Sequence, residues 1–413
     1  MSLTNVPSSE RLHIGFFGMR NAGKSSLVNA VTGQALSLVS DVKGTTTDPV
    51  KKAMELLPLG PVVIIDTPGL DDEGQLGEMR AARARQTLET VDIAVLVVDG
   101  ETGMCAEDRA LLALVKARKL PHIVCLTKCD RLSARAPLSE NELYVSAATG
   151  EGVHALKESL GRLAGPAQRE RLIAADLLPP GGLALLVVPV DEAAPKGRLI
   201  LPQQQTLREL LDHHMTAVVC QDTEVKATLA MLAAKPDLVI TDSQAFGRVS
   251  ADVPEDIPLT SFSILMARYK GGLEAQLRGA AALAHLRDGD RVLIAEGCTH
   301  HRQCNDIGSV KLPRWIGAYT GKRVTFAFCS GGEFPVDLSP FALVVHCGGC
   351  MLTEQAMKMR IGRARDAGVP VVNYGVAIAL MHGVLRRSVA MLPGAAALLG
   401  EETGRTLDGG DET

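Results

Sequence analysis

Aromatic side chains are scarce in this 413-residue chain: one Trp, four Tyr and eight Phe, 3% of the residues, against 46% hydrophobic. The cores must therefore be aliphatic, in the manner of the Val-, Leu- and Ile-rich strands of parallel α/β sheets. Trp315 and its few aromatic companions offer no platform on which nucleic-acid bases could stack. A dominant charge is also missing. Lys and Arg number 43 and Asp and Glu 47, a formal balance of −4, which gives no general electrostatic reason to bind nucleic acid or a membrane. Long apolar runs are absent too, since stretches such as GGLALLVVPV (181–190) are too short to span a bilayer. The polar start, Met1 to Arg11, does not read as a signal peptide. A soluble, cytoplasmic protein is expected, and there nine cysteines are buried small hydrophobes, metal ligands or reactive thiols rather than disulfides.

What is present is organised in three α/β units, with parallel sheets expected in each. The length alone favours two or three domains. Apolar runs at 12–18 (LHIGFFG), 62–69 (VVIIDTPG), 91–100 (VDIAVLVVDG) and 121–130 (PHIVCLTKCD) alternate with helix-like segments, the pattern of a doubly wound sheet. This first domain is expected over 1–168. A charged linker ends in the breaker Pro179 to Gly182. A second unit is expected over 175–262, and a third over 263–400, opening with one long helix from Ser263 to Leu286. The acidic, Gly-rich 401–413 is expected to be a disordered tail. No internal repeat is visible.

The firmest chemistry is in GMRNAGKSS, Gly18 to Ser26. Gly18-x4-Gly23-Lys24-Ser25 follows an apolar strand and precedes a helical pattern, as a phosphate-binding loop requires. Its glycines let main-chain N–H groups approach phosphates, so Gly18, Asn21, Ala22, Gly23, Lys24, Ser25 and Ser26 are expected to bind them. Lys24 reaches the outer phosphates and the Ser25 hydroxyl ligates Mg²⁺. In DTPG (66–69), Asp66 can hold Mg²⁺ through water and the Gly69 N–H can meet the γ-phosphate. Between these motifs lies GTTTD (44–48), where Thr46 is the choice for a mobile threonine that joins Mg²⁺, with Thr45 and Thr47 as alternatives. Lys24, Thr46 and Gly69 are thus expected to act at the phosphate that leaves. TKCD (127–130) supplies Thr127, Lys128 and Asp130. The Asp130 carboxylate can accept from both N1–H and the exocyclic amine of guanine, which selects GTP over ATP. In SAATG (146–150), Ser146 and Ala147 complete the base site.

These five stretches resemble the translation-factor-like GTPases, in the branch containing Era and the tRNA-modifying GTPase MnmE. The resemblance implies a P-loop GTPase fold and GTP hydrolysis over Gly18 to Ala147. The usual pattern carries Asn where Thr127 stands. Leu70 follows DTPG where many regulatory GTPases carry a water-orienting glutamine, so slow intrinsic turnover is expected. The asparagine of the phosphate loop accompanies K⁺ activation in that branch, which makes Asn21 a K⁺ ligand and K⁺ a cofactor.

A second chemistry sits in EGCTHHRQC (296–304) and HCGGC (346–350). Cys298 and Cys347 each follow an apolar strand, and parallel strand ends share a crevice. Three cysteines, Cys298, Cys347 and Cys350, with a histidine, can hold zinc or an iron–sulfur cluster. The residue types leave zinc and iron undecided. His300 and His346 are candidates for the fourth position, His301 and Cys304 less so. Cys125, Cys220 and Cys329 read as core, and Cys105 and Cys129 have no evident chemical role.

Cys298-Thr299-His300 followed by His346-Cys347-Gly348-Gly349-Cys350 resembles the Cys-x-His…His-Cys-x-x-Cys signature of the FeFe-hydrogenase maturation GTPases, the HydF family. With the N-terminal GTPase, the resemblance covers nearly the whole chain. It implies a 4Fe-4S cluster on Cys298, Cys347 and Cys350 with an exchangeable fourth site. It also implies a di-iron subcluster precursor as cargo, radical-SAM hydrogenase maturases and apo FeFe-hydrogenase as partners, and a homodimer built on the middle domain. Two other readings compete: a GTPase of RNA modification or ribosome assembly with a zinc module, and a structural metal protein whose GTPase is an assembly switch.

Overall fold

The structure, a computed structural model, describes residues 7–33, 49–69, 75–165, 171–190, 199–297, 306–331 and 333–399. Thr46, Leu70, Cys298, His300, His301, Cys304 and the 401–413 tail lie outside the described residues. Two units divide the chain, Met1–Glu170 and Arg171–Thr413. Among the described residues no helix is long and apolar enough to cross a membrane.

The first unit is built on six strands: β1 (Leu12–Phe17), β2 (Val50–Leu56), β3 (Gly60–Asp66), β4 (Ile93–Asp99), β5 (His122–Thr127) and β6 (Glu142–Tyr144). Helices α1 (Lys24–Thr32), α2 (Gln75–Leu88), α3 (Ala106–Ala117) and α4 (Val153–Ala164) connect or follow them. The sheet order is β2-β3-β1-β4-β5-β6, parallel except for the β2–β3 pair. Every residue of β1 is buried, as expected of a strand covered on both faces. The edge strand β2, VKKAMEL, was not foreseen. Only Leu56 of it is buried, so the strand carries neither an apolar run nor a clear alternation to betray it.

The second unit contains β7 (Leu183–Val187), α5 (Leu201–Asp212), β8 (Thr216–Cys220), α6 (Val225–Met231), β9 (Leu238–Thr241), α7 (Phe246–Asp252), β10 (Leu259–Ser261) and α8 (Phe262–Tyr269). It continues through α9 (Leu273–Ala284), β11 (Arg291–Ala295), α10 (Leu312–Thr320), β12 (Thr325–Cys329), β13 (Leu343–His346), α11 (Glu354–Asp366), β14 (Val371–Asn373), α12 (Tyr374–Met381) and α13 (Leu385–Val389). The expected single helix from Ser263 to Leu286 is two. Gly271, at φ +71°, breaks the chain between α8 and α9, a conformation that only glycine adopts without strain. Two four-stranded parallel sheets result, and one continuous apolar core runs from Leu185 and Phe262 to Ile294 and Val345.

The repeat that the sequence conceals is topological. Read from one edge, the sheets run β8-β7-β9-β10 and β12-β11-β13-β14: in each, the second strand lies outside the first, and the third and fourth follow on the other side. Each fourth strand is three residues long and leads into an eight-residue helix, α8 or α12. In each sheet the strand order reverses at the first and third strands, the chain moving outward from the first to the second and then back past the first to the third. That is the switch point outside whose C-terminal edge α/β proteins form a crevice.

Helix α9 packs so close to β14 that a Cβ on Gly279 would stand 2.0 Å from the Val371 carbonyl oxygen. Gly279→Ala must push helix from strand and is expected to destabilise the protein by about 1–3 kcal/mol. Gly317→Ala on α10, where a Cβ meets nothing within 4 Å, should be neutral or stabilising. Urea unfolding midpoints of the two variants check this.

Candidate functional site

The phosphate loop joins β1 to α1. Gly18 sits at φ +145°, and a Cβ there would lie 2.1 Å from the Val97 carbonyl of β4, so glycine alone lets the loop leave the sheet. Asn21 (φ 60°) and Gly23 (φ 86°) are both left-handed, and Gly23 caps α1. Asn21 and Ser26 are exposed, whereas Ala22 is buried. The buried Lys24 donates through Nζ to the carbonyls of Gly18 at 2.9 Å and Met19 at 2.6 Å. Ser25 Oγ donates to Asp66 Oδ2 at 2.9 Å. This brings together two hard oxygens, from the start of α1 and the end of β3, a donor set that fits Mg²⁺. The DTPG segment is tied to β1 by Thr67 Oγ1, which donates to the Phe16 carbonyl at 2.7 Å. Its Gly69 abuts the phosphate loop, where a Cβ would stand 2.9 Å from Arg20 N and Cα.

The base-contacting loops meet the same cradle. Thr127, buried at the end of β5, directs Oγ1 to the Ala22 carbonyl at 2.6 Å and the Val98 carbonyl at 3.0 Å. The departure from Asn therefore keeps the tie between base loop and phosphate loop. Lys128, itself left-handed at φ 57°, pairs with Asp99 at 2.5 Å. Burial works against the Asp99 carboxylate, but the bonds from Lys128 and the Glu101 amide hold it below its ordinary range. Asp130 is exposed and also held below the usual carboxylate range, first by a hydrogen bond from Ser146. The buried Ser146 accepts in turn from the Thr149 amide at 3.2 Å, and Ala147 follows it, half-buried. An ionised acceptor thus stands fixed beside main-chain donors.

The cysteine site lies at the C-terminal edge of the second unit's later sheet. Cys347 N donates to the Ala295 carbonyl at 2.9 Å and Glu296 N to the Cys329 carbonyl at 2.9 Å, which extends β13 and β11 by a step. Gly297 N then donates to Cys347 Sγ at 3.0 Å, and Gly349 N reaches the same sulfur at 3.4 Å. Glycine is required at both places: a Cβ on Gly297 would lie 2.8 Å from Leu352 Cγ, and Gly349 is left-handed at φ +65°. Burial pushes the Cys347 thiol up to about 11. Burial also raises the Cys350 thiol, against the nearby Lys270 ammonium. The donor chemistry of this crevice suits a sulfur-ligated metal group, since main-chain N–H groups already address the thiolate position. Among the described residues no three His, Cys, Asp or Glu side chains converge. Cys347 and Cys350 are described, while Cys298 and His300 are not.

His346 does not sit as a fourth ligand would. It is buried, with Nδ1 bonded to the Cys347 carbonyl at 2.8 Å and Nε2 facing Arg360 Nη1 at 2.9 Å. Both ring nitrogens are engaged, Nδ1 as donor and Nε2 as acceptor. Burial first, and the Arg360 charge second, hold the ring neutral, its pKa down to about 3. Arg360 also bonds the Glu296 and Gly331 carbonyls and stacks 5.0 Å over Phe334. The guanidinium therefore fastens the ends of β11, β12 and β13 together. Sequence reasoning missed Arg360, Lys270 and Asn373, because nothing in their spacing marks them.

Three of the other described cysteines are accounted for by packing or capping. Cys125 is fully buried, which pushes its thiol up to about 12, and Cys329 packs in a small core. Cys105 caps α3 together with Asp108.

The fold and the two sites define a P-loop GTPase domain joined to a duplicated parallel α/β unit with a cysteine-bearing crevice. Residues 13–128 match the family described as 50S ribosome-binding GTPase. Residues 173–271 match the hydrogen maturase F dimerization domain, and 274–391 the hydrogen maturase F tetramerization domain. Those two matches together take up more than half of the chain, which belongs to the hydrogen maturase F (HydF) family. The GTPase part is similar to the tRNA modification GTPase MnmE of Nitrosomonas europaea, 36% identical over 162 residues, 38% of this chain and 35% of the relative. It is 39% identical over 154 residues to MnmE of Xanthomonas oryzae pv. oryzae, 37% of this chain and 34% of the relative. The chain thus spans about a third of the length of these curated relatives. An Aquifex aeolicus Era variant bound to GDP·AlF4⁻ aligns with 51% of this chain and 92% of its own, at 18% identity and a TM-score of 0.33.

Thr127→Val removes the hydroxyl that holds Ala22 but keeps its shape. GTP affinity is expected to fall about 5- to 10-fold, whereas Asp130→Asn should shift preference toward xanthine nucleotides. Titration calorimetry with GTP and XTP checks both.

Proposed function

We propose that the chain is a cytoplasmic GTP-hydrolysing carrier that binds a 4Fe-4S cluster and a di-iron subcluster precursor and delivers the precursor to apo FeFe-hydrogenase. The observation that carries this reading is the 3.0 Å bond from Gly297 N to Cys347 Sγ. Gly297 immediately precedes Cys298 in the sequence, so this bond supports a site shared by both halves of the cysteine signature. We assign GTP turnover to 1–168, self-association to 175–262 and cluster binding to 263–400.

In the GTPase domain the phosphate-loop amides from Asn21 to Ser26 and the Lys24 ammonium bind and orient the phosphates. Gly69 N–H meets the charge that develops on the transferred phosphoryl group. Ser25 and Thr46 would hold Mg²⁺, with Asp66 supporting it. Magnesium, when bound, neutralises charge on the outer phosphates. Asp130 and Ser146 fix the guanine. Leu70 cannot orient water, so turnover is slow and stimulated by K⁺ at Asn21.

In the crevice Cys298, Cys347 and Cys350 bind the cluster. His300 is the candidate for the exchangeable fourth position, since the His346 nitrogens are both engaged. The cluster, when bound, supplies an iron whose last coordination site can exchange with cargo. Arg360 and the Gly297 and Gly349 amides hold the thiolate-bearing loops and offset their charge. Two radical-SAM hydrogenase maturases supply the cargo.

Replacing Cys347 by Ala should remove the bound iron and stop hydrogenase maturation while leaving GTP hydrolysis intact. Lys24→Ala should abolish hydrolysis and leave the iron. Anaerobic purification, iron analysis and EPR, with phosphate release measured in K⁺ and Na⁺, test the reading; one zinc and no iron in the wild type would sink it.

Self-association has a surface to use. Strand β8, TAVVC, is a sheet edge without charge or proline, the kind of edge that pairs with another chain. Val219 on it is 44% exposed and Leu211 of α5 55%. Val219→Lys is expected to turn the dimer into monomers in sedimentation analysis.

A further inference from the structure

Asn373 ends β14 and caps α12. Its Oδ1 accepts three hydrogen bonds, from Gly375 N at 2.7 Å, Val376 N at 3.4 Å and Ser263 Oγ at 2.9 Å. The two main-chain donors fix which end of the amide faces the helix, because a flipped side chain would set NH₂ against N–H. Nδ2 is thereby turned away from the cap. It has no hydrogen-bond partner, although the residue is fully buried. A buried donor left unmade is costly, and native proteins keep few of them. Capping alone does not explain the choice, since Ser or Asp caps equally well without a stranded N–H. At the matching position after β10, Ser261 does cap α8, with its Oγ accepting from Ile264 N.

Two neighbours place Asn373 beside the cysteine crevice. Asn373 is in register with His346 on the neighbouring strand, about 4.8 Å away, and Cys347 is the next residue along β13. Ser263, bonded to Asn373, would lie 3.3 Å from a Cβ on Gly348. Buried cations border the same crevice: Arg360 bonds Glu296 and His346, and the ammonium of Lys270, 2% exposed, acts on Cys350. Donors and positive charge converge where an anionic, acceptor-rich occupant belongs.

We propose that Asn373 is a positioning residue whose Nδ2 donates a hydrogen bond to a sulfur of the iron–sulfur cluster held by Cys347 and Cys350. The inference rests on the carrier reading above. Hydrogen bonds to cluster sulfurs stabilise the more reduced state and raise the reduction potential. The test compares anaerobically reconstituted full-length wild type, Asn373→Ser, Asn373→Asp and Ser263→Ala. Both Asn373 variants keep a capping oxygen and lose the amide N–H donor; Asp has no donor, and the Ser hydroxyl sits on a shorter side chain. They should bind iron as the wild type does, with a midpoint potential shifted negative in Asn373→Ser and further in Asn373→Asp, and with altered EPR g-values. Ser263→Ala, which retains Nδ2, should match the wild type. Iron-replete Asn373 variants with the wild-type potential and spectrum would reduce Asn373 to a helix cap and overturn the proposal, leaving the carrier reading untouched. A wild type that holds no iron would overturn both. Should the variants fold poorly, ¹⁵N-asparagine labelling of the wild type decides: a weakly coupled nitrogen in the hyperfine spectrum of the reduced cluster is expected, and its absence overturns the assignment.

Discussion

When β11 runs out, the next main-chain donor still needs an acceptor, and Gly297 N–H finds it in Cys347 Sγ. Much of the second unit's chemistry hangs on that contact. It exists because two parallel strands end side by side at a switch point, where no further ladder bond is available. The sulfur is consequently addressed by main-chain amides, from Gly297 and Gly349, which side-chain substitution cannot remove. Glycine at both positions follows from the same constraint. One must approach Leu352, and the other must turn left-handed.

Arg360 makes the crevice a single body. Its guanidinium engages carbonyls after β11 and β12 and the imidazole at the end of β13. A buried cation is expensive unless it is bonded on several sides, and the fan of donors on arginine satisfies three strand ends at once where lysine would act as a point charge. His346 is then explained without metal ligation. It accepts from Arg360, donates to the Cys347 carbonyl, and stays neutral.

How much of this could be read from the sequence depended on what kind of demand each residue answers. Gly18, Lys24, Ser25 and Asp130 answer a ligand whose shape does not vary, so their spacing along the chain is nearly fixed and legible. The strands β1, β3, β4 and β5 are buried on both faces, and their apolar runs announce them. Strand β2 stayed hidden because its side chains face water. The break between α8 and α9 was marked by Gly271-Gly272 yet outweighed by the apolar pattern on either side. Arg360 and Asn373 were out of reach, because their roles come from partners far apart in sequence: Arg360 reaches 64 residues back to Glu296, and Asn373 reaches 110 back to Ser263.

The two sheets share a topology but differ in the residues at their strand ends. At the switch point of the earlier sheet, β9 is followed by Asp242 and Ser243. Gln203 donates to Asp242 at 2.6 Å and Ser243 Oγ meets Ser261 Oγ at 3.1 Å. Among the described residues of that edge, Gln203 and Asp242 satisfy one another, as do Ser243 and Ser261. At the corresponding edge of the later sheet, β13 is followed by Cys347 and Gly348, and β14 ends in Asn373. There the sulfur, Lys270 and Arg360 converge, while Asn373 Nδ2 is left without an acceptor. Since the backbone plan is shared, fold alone cannot account for the difference. The side chains installed at the strand ends do: glycines set close against Leu352 and Met357, thiols that can bind metal, and an amide donor left without an acceptor.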